Sequence, residues 1–192
     1  MIFLSASIPD QTGNPKYYDS ADIIAIRDAV RALVTVVLPK SYLVWGGHPA
    51  ITPLIRYVMT TMEYDIKNHV TLYQSNFFRR FFPEDNEYFE NVVIVPEMED
   101  KTKSLYKMRY KMLTENIFEA GVFIGGMEGV EEEYEMFKSL QPTAKIFPVA
   151  STGAASKIIF QNYPEALDQS LQTDYAYMAL FRSLFKQIKI ND

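Results

Sequence analysis

Short apolar runs alternate with longer amphipathic stretches along the whole chain. Runs at residues 2–5, 42–45, 70–73, 92–95, 122–124 and 146–149 predict six strands, and the fifth run, starting at Ala120, reads as fully buried. Between these runs the apolar residues recur at helical spacing. Ile23, Ile26, Val30, Leu33 or Val34, and Val37 predict a first helix, capped by Asp19 or Ser20 and stopped by Pro39. Ile51, Leu54, Ile55, Val58 and Met62 predict a second, in which Pro53 fits only near the first turn. Leu105, Met108, Met112 and Leu113 mark a long helix over residues 101–117. A further helix is predicted over 131–140, ended by Pro142. The last spans 175–189, with Met178, Phe181, Leu184, Phe185 and Ile188 as its stripe. Residues 11–18 and 150–155 read as loops, and residues 77–88 as an irregular aromatic segment.

Apolar strands separated by helices imply a parallel sheet covered on both faces. The expectation is an α/β fold: a Rossmann-like, doubly wound three-layer sandwich with a mainly parallel sheet of about six strands. No linker or internal repeat divides the chain, so residues 1–192 read as one domain. In such sheets ligands bind outside the carboxyl ends of the strands. The loops there carry Ser5 and Ser7, then Gly46, Gly47 and His48, then Ser75 and Asn76, then Pro96 and Glu97. Gly125 to Gly129 and Ser151, Thr152 and Gly153 complete the set. Small and hydroxyl residues recur where a phosphate needs close backbone approach.

The chemistry of the composition narrows the function. A formal net charge of -5 without a basic block argues against nucleic acid as a partner. The absence of cysteine excludes disulfides and thiolate chemistry, and His48 and His69 alone make no metal site. No signal peptide and no apolar run of about 18 residues is present, so a cytoplasmic protein with no membrane partner is expected. The phosphate loop ending in lysine, the nucleophile elbow and the dinucleotide fingerprint after the first strand are all missing. No cofactor is called for.

The most informative stretch is Gly125, Gly126, Met127, Glu128 and Gly129, between an apolar strand and a helix carrying Glu133. Glycines at such a corner admit a close ligand, and the new helix aims its free N–H groups at it. With Glu133 four residues after Gly129, this stretch resembles the glycine-glycine signature of the SLOG superfamily, with one extra residue inside the glycine loop. That superfamily includes LOG-type nucleotide phosphoribohydrolases and ligand-sensing SLOG domains of bacterial defence proteins. Met108, Arg109, Tyr110, Lys111 and Met112 look similar to the arginine-bearing helix of LOG enzymes, with shorter spacing. Gly46 and Gly47 match the early glycine corner, and Ser151 to Ala155 the late small-residue loop of stand-alone SLOG proteins.

The resemblance implies a nucleotide or nucleotide-derived ligand, such as an ADP-ribose derivative. It implies a ligand site made of Ser5, Ser7, Gly46, Gly47, His48, Arg109, Gly125, Gly126, Met127, Glu128, Gly129, Glu133, Thr152 and Gly153. Arg109 would neutralise a phosphate; its plainer alternative is a solvated helix arginine paired with a glutamate. Glu133 would bind ribose hydroxyls or stabilise positive charge on the ribose. One or two of Glu131, Glu132, Glu133 and Glu135 would face the site, the rest water. His48 would either touch the ligand or cap its helix. Phe77, Phe78, Phe81 and Phe82 around Arg79 and Arg80 read as a loop anchored by buried aromatics rather than a base clamp. Two roles follow: a sensor module whose partner is a separately encoded effector protein, or an enzyme cleaving a nucleotide N-glycosidic bond with Arg109 and Glu133 as catalytic pair. The altered glycine loop favours the sensor. The C-terminal stripe predicts a homodimer.

Overall fold

Six parallel strands form one sheet in the computed structural model, which describes residues 1–62, 66–162 and 167–186. They are β1 (Ile2–Ser7), β2 (Leu43–Trp45), β3 (Val70–Ser75), β4 (Asn91–Val95), β5 (Ala120–Gly125) and β6 (Lys145–Val149). The order across the sheet is β4-β3-β2-β1-β5-β6. The chain therefore walks outward from β1 to β4, then returns to the other side of β1 to lay down β5 and β6. β1 and β5 lie side by side in register, Ser7 opposite Gly125, and their loops leave in opposite directions. That pair is the switch point of the sheet, where a crevice opens at the carboxyl edge.

The helices are α1 (Pro15–Tyr18), α2 (Ile23–Val37), α3 (Thr52–Thr61), α4 (Lys101–Thr114), α5 (Glu128–Leu140), α6 (Ala154–Asn162), α7 (Ser170–Thr173) and α8 (Tyr177–Lys186). Strand alternation sorts the core into two layers. Ile2, Leu4 and Trp45 face a core built with Ile26, Val30 and Leu33 of α2, Ile55 of α3 and Phe181 of α8. Phe3, Val44 and Phe123 face the other, with Met108 and Met112 of α4, Phe137 of α5 and Ile159 of α6. Phe3 stacks on Phe137 with ring centroids 5.2 Å apart. The three-layer, doubly wound architecture expected from the apolar pattern is the one present.

Several elements differ in detail. Asp22, not Asp19 or Ser20, caps α2, accepting from the Ala25 N–H at 2.9 Å. The Ser20 hydroxyl instead accepts from the Ala154 N–H at 3.0 Å and so ties down the start of α6. α6 was not expected: its first two residues fall in the loop read over 150–155, and the rest carried no assignment. α4 ends at Thr114 rather than 117, because Asn116 turns back to the Met112 carbonyl. α5 starts at Glu128, three residues earlier than expected. The segment from Asn76 to Tyr88 is not irregular but two 3₁₀ helices, Asn76–Phe81 and Glu84–Tyr88. Of the stripe on α8, Phe181, Leu184 and Phe185 are buried within the chain and Met178 is half-buried; Phe185 meets Phe147 of β6 edge-on. Ile188 and the end of the helix expected to reach 189 lie outside the described residues. None of the helices among the described residues is long and apolar enough to cross a membrane.

Candidate functional site

A cleft of about 680 Å³ opens at the carboxyl edge beside the switch point. Ser5 and Ser7 of β1 and Trp45 of β2 line its base. Gly46, Gly47 and His48, directly after β2, form one wall. Arg109 of α4 and the first turns of α5, from Met127 to Glu133, adjoin it: a methyl on Gly46 would lie 3.7 Å from Oε1 of Glu133. Ten of the fourteen residues expected at the site are thus brought together.

The start of α5 is open. Its N-cap, Met127, offers no side-chain bond, and the N–H groups of Glu128 and Gly129 donate to no group among the described residues. A helix start with free donors attracts anions. The Ser5 hydroxyl, lining the same cleft, is buried without a hydrogen-bond partner, as is the indole N–H of Trp45. Buried polar groups without partners are uncommon and costly. A ligand in the cleft is a natural source of the missing bonds.

Arg109 is not solvated. Only 7% of it is exposed, and its Nε donates to Oε1 of Glu133 at 3.1 Å while Nη1 pairs with Glu132. The Glu133 side chain is 13% exposed and that of Glu132 61%. Arg109 thus has one buried and one exchangeable carboxylate. Glu131 points elsewhere, to Lys16 and the Tyr17 hydroxyl, where it straps α1 to α5. Glu128 receives a long bond from Asn14 at 3.5 Å, and Glu135 is exposed. The charged residues lining the cleft are Lys101, Arg109, Glu128, Glu132 and Glu133, so its inner part has no excess of positive charge.

His48 lines the cleft and shapes the turn that leads into α3. Its carbonyl accepts from the Ile51 and Thr52 N–H groups, opening α3. Its Nδ1 accepts from the Ala50 N–H at 3.2 Å, which places the ring proton on Nε2 in the neutral form. Burial holds its pKa below the ordinary value. Next to it, the Gly46 carbonyl accepts from Gln74 Nε2 at 3.2 Å, and Gln74 in turn accepts from Asn86 at 3.4 Å.

Gly125, Gly126, Thr152 and Gly153 do not line the cleft. Gly125 and Gly126 have φ of +57° and +96°, so they turn the chain out of β5. A methyl group there would meet Ile26 at 2.5 Å and Val130 at 2.4 Å. The Gly125 N–H donates to the Thr152 hydroxyl at 2.9 Å, and the Gly126 N–H to the Ser7 carbonyl at 2.9 Å. Thr152 is fully buried, and Gly153 packs against the Ser20 carbonyl. These four hold the corner rather than face the cleft. Ser151 is likewise closed off: its hydroxyl bonds to that of Tyr177 at 3.1 Å, and burial pushes the Tyr177 pKa up to about 12. The third glycine of the signature, Gly129, does face the cleft, and a methyl on it would lie 2.8 Å from Nη2 of Arg109.

The structure adds lining residues beyond those expected, chiefly Gln74, Phe78, Phe81, Phe82 and Leu105. Phe77, Phe78, Phe81 and Phe82 are not buried anchors; Phe81 is 75% exposed. The aromatic run around Arg79 and Arg80 was the available signal. Among the described residues no cluster of acidic or histidine side chains forms a metal site.

With the geometry in place, comparison with known families is decisive on kinship. The model of the SLOG cluster3 family matches residues 16–185. The chain belongs to the SLOG cluster3 family. None of the curated proteins compared with it matches. The matched span takes in the lining of this SLOG cleft from the β2 corner to α4 and α5. Membership carries a general nucleotide-binding, sensor-type role, and so a nucleotide-related binding partner.

Proposed function

We propose that this SLOG protein is a sensor that binds a nucleotide-derived signalling molecule, an ADP-ribose derivative being the favoured class, in bacterial defence or stress signalling. The observation that carries the reading is the open start of α5 beside the unpartnered Ser5 hydroxyl. Free N–H groups and a hydroxyl suit a phosphate, and the buried Glu133 carboxylate suits ribose hydroxyls. The proposed output is to a separate effector protein. Arg109 holds the ligand's anionic group after Glu132 gives way.

One observation favours an enzyme of the LOG type: Arg109 and Glu133 meet inside the cleft, an arrangement suited to N-glycosidic cleavage. The same bond neutralises Glu133 in the free protein, which favours binding over turnover. A thermal-shift screen with AMP, cyclic nucleotides and ADP-ribose isomers tests the reading, with product analysis on each hit. A ligand at 100 times its Kd should stabilise the fold by about 2.7 kcal/mol without being consumed. A flat response to every nucleotide would sink the proposal. Release of a free base, abolished in Glu133→Gln, would establish the hydrolase instead.

A further inference from the structure

The aromatic segment beyond β3 presents its rings to solvent at the mouth of the cleft. Phe78, Phe81, Phe82 and Pro83 line that mouth, and Phe81, at 75% exposure, has most of its ring free. A single exposed phenylalanine is ordinary, but here four rings in six residues form an apolar patch, three of them lining the cleft. The segment is anchored on both sides. The Ser75 hydroxyl accepts from the Phe77 N–H at 3.4 Å, and Phe77 packs edge-on against Phe78 at 5.1 Å. Beyond Pro83, Asp85 pairs with Arg56 of α3, and Asn86 donates to Gln74. Gln74 donates onward to the Gly46 carbonyl, so this anchor reaches the glycine corner itself.

The adjoining Arg79 and Arg80 are exposed and have no acidic partner among the described residues. Neither arginine lines the cleft, whose cations are Lys101 and Arg109. A flat exposed ring at the mouth, with Arg109 and the open start of α5 also lining the cleft, matches a ligand that joins a planar base to phosphate.

We propose that Phe81, at the mouth of the cleft, is the stacking platform for the ligand's base. This inference rests on the nucleotide reading above and adds the orientation of the ligand: base outward against Phe81, phosphate inward toward Ser5 and the start of α5, ribose toward Glu133. Base stacking on an aromatic side chain is sequence-tolerant, since every base has a π face. Discrimination between ligands then falls to the inner groups.

The test is calorimetric titration with whichever of AMP, cyclic AMP and ADP-ribose binds the wild type most tightly. Phe81→Ala should weaken binding roughly ten-fold or more, and Phe81→Trp should retain or tighten it. Both variants should melt at the wild-type temperature, because the ring is exposed. Unchanged affinity in Phe81→Ala, or equal loss in Phe81→Ala and Phe81→Trp, overturns the stacking platform while leaving the nucleotide reading intact. Wild type that binds none of the three ligands overturns the nucleotide reading itself.

Discussion

A methyl group on Gly129 would sit 2.8 Å from Nη2 of Arg109, closer than a carbon and a nitrogen can pack. Gly129→Ala should therefore push the guanidinium off Glu133 and cut ligand affinity. Its effect on stability should stay near 1 kcal/mol, the scale of an ordinary helix substitution. Paired calorimetry and denaturant melts would separate the two effects; a large stability loss with intact binding would contradict the geometry. Arg109→Met goes further. It leaves the Glu133 carboxylate, whose side chain is 13% exposed, without its partner, which costs on the order of 1–3 kcal/mol. Glu132 behaves differently, because its side chain is 61% exposed and holds Arg109 only as an exchangeable partner. Glu132→Gln should raise affinity for phosphate-bearing ligands, since less charge must be displaced from the arginine. A drop in affinity would mean that Glu132 touches the ligand directly.

Elements set the next scale. The corner after β2 holds His48 in its neutral form by burial. The unfolded chain takes up this proton near the ordinary value of 6.5, whereas the folded protein takes it up only at lower pH. The unfolded state thus binds more protons in that window, and stability falls as pH drops below about 6.5. Above that value this residue adds no pH dependence. Chemical melts of wild type and His48→Asn between pH 5 and 8 should diverge only at the acidic end. The same scale shows what sequence reading captured. The six strands and helices α2 to α5 were legible because each buries one stripe or one run. α6 was not: its Ile159 packs into one core layer and Phe160 into the other, and Ala154, Ala155 and Ser156 are buried as well. A helix covered on several sides leaves no one-sided pattern. Asp19, Ser20 and Asp22 are all good caps by chemistry; only the tertiary pull of Ser20 toward Ala154 decides among them. At the cleft, Arg109, Gly129 and Glu133 were legible through the resemblance to the SLOG signature. Gly125, Gly126, Thr152 and Gly153 lie in the same motifs but serve packing against Ile26, Val130 and Ser20, which no spacing reveals.

At the scale of the molecule, most of the stripe on α8 is spent inside the chain. Phe181 stacks on Phe185 with centroids 6.0 Å apart and packs in the core shared with α2. Phe181→Ala should cost about 3–5 kcal/mol, as for other buried aromatics. It should leave the mass seen by light scattering unchanged. A change in mass without loss of stability would show that this face serves a partner instead. The buried part of the stripe no longer argues for a homodimer; half-buried Met178 and exposed Tyr175 are what that face leaves open. The two core layers carry different helices: α8 packs in one, while α4 and α5, which line part of the cleft, pack in the other.

Trp45 is the sole tryptophan of the chain, and it lies 1% exposed at the base of the cleft with its indole N–H unpaired. An indole held this dry emits at short wavelength, and its emission is sensitive to any dipole brought against its nitrogen. Occupation of the cleft therefore has an intrinsic optical readout, free of labels and of background from other tryptophans. Rates of ligand entry and departure become measurable by stopped flow on the unmodified protein.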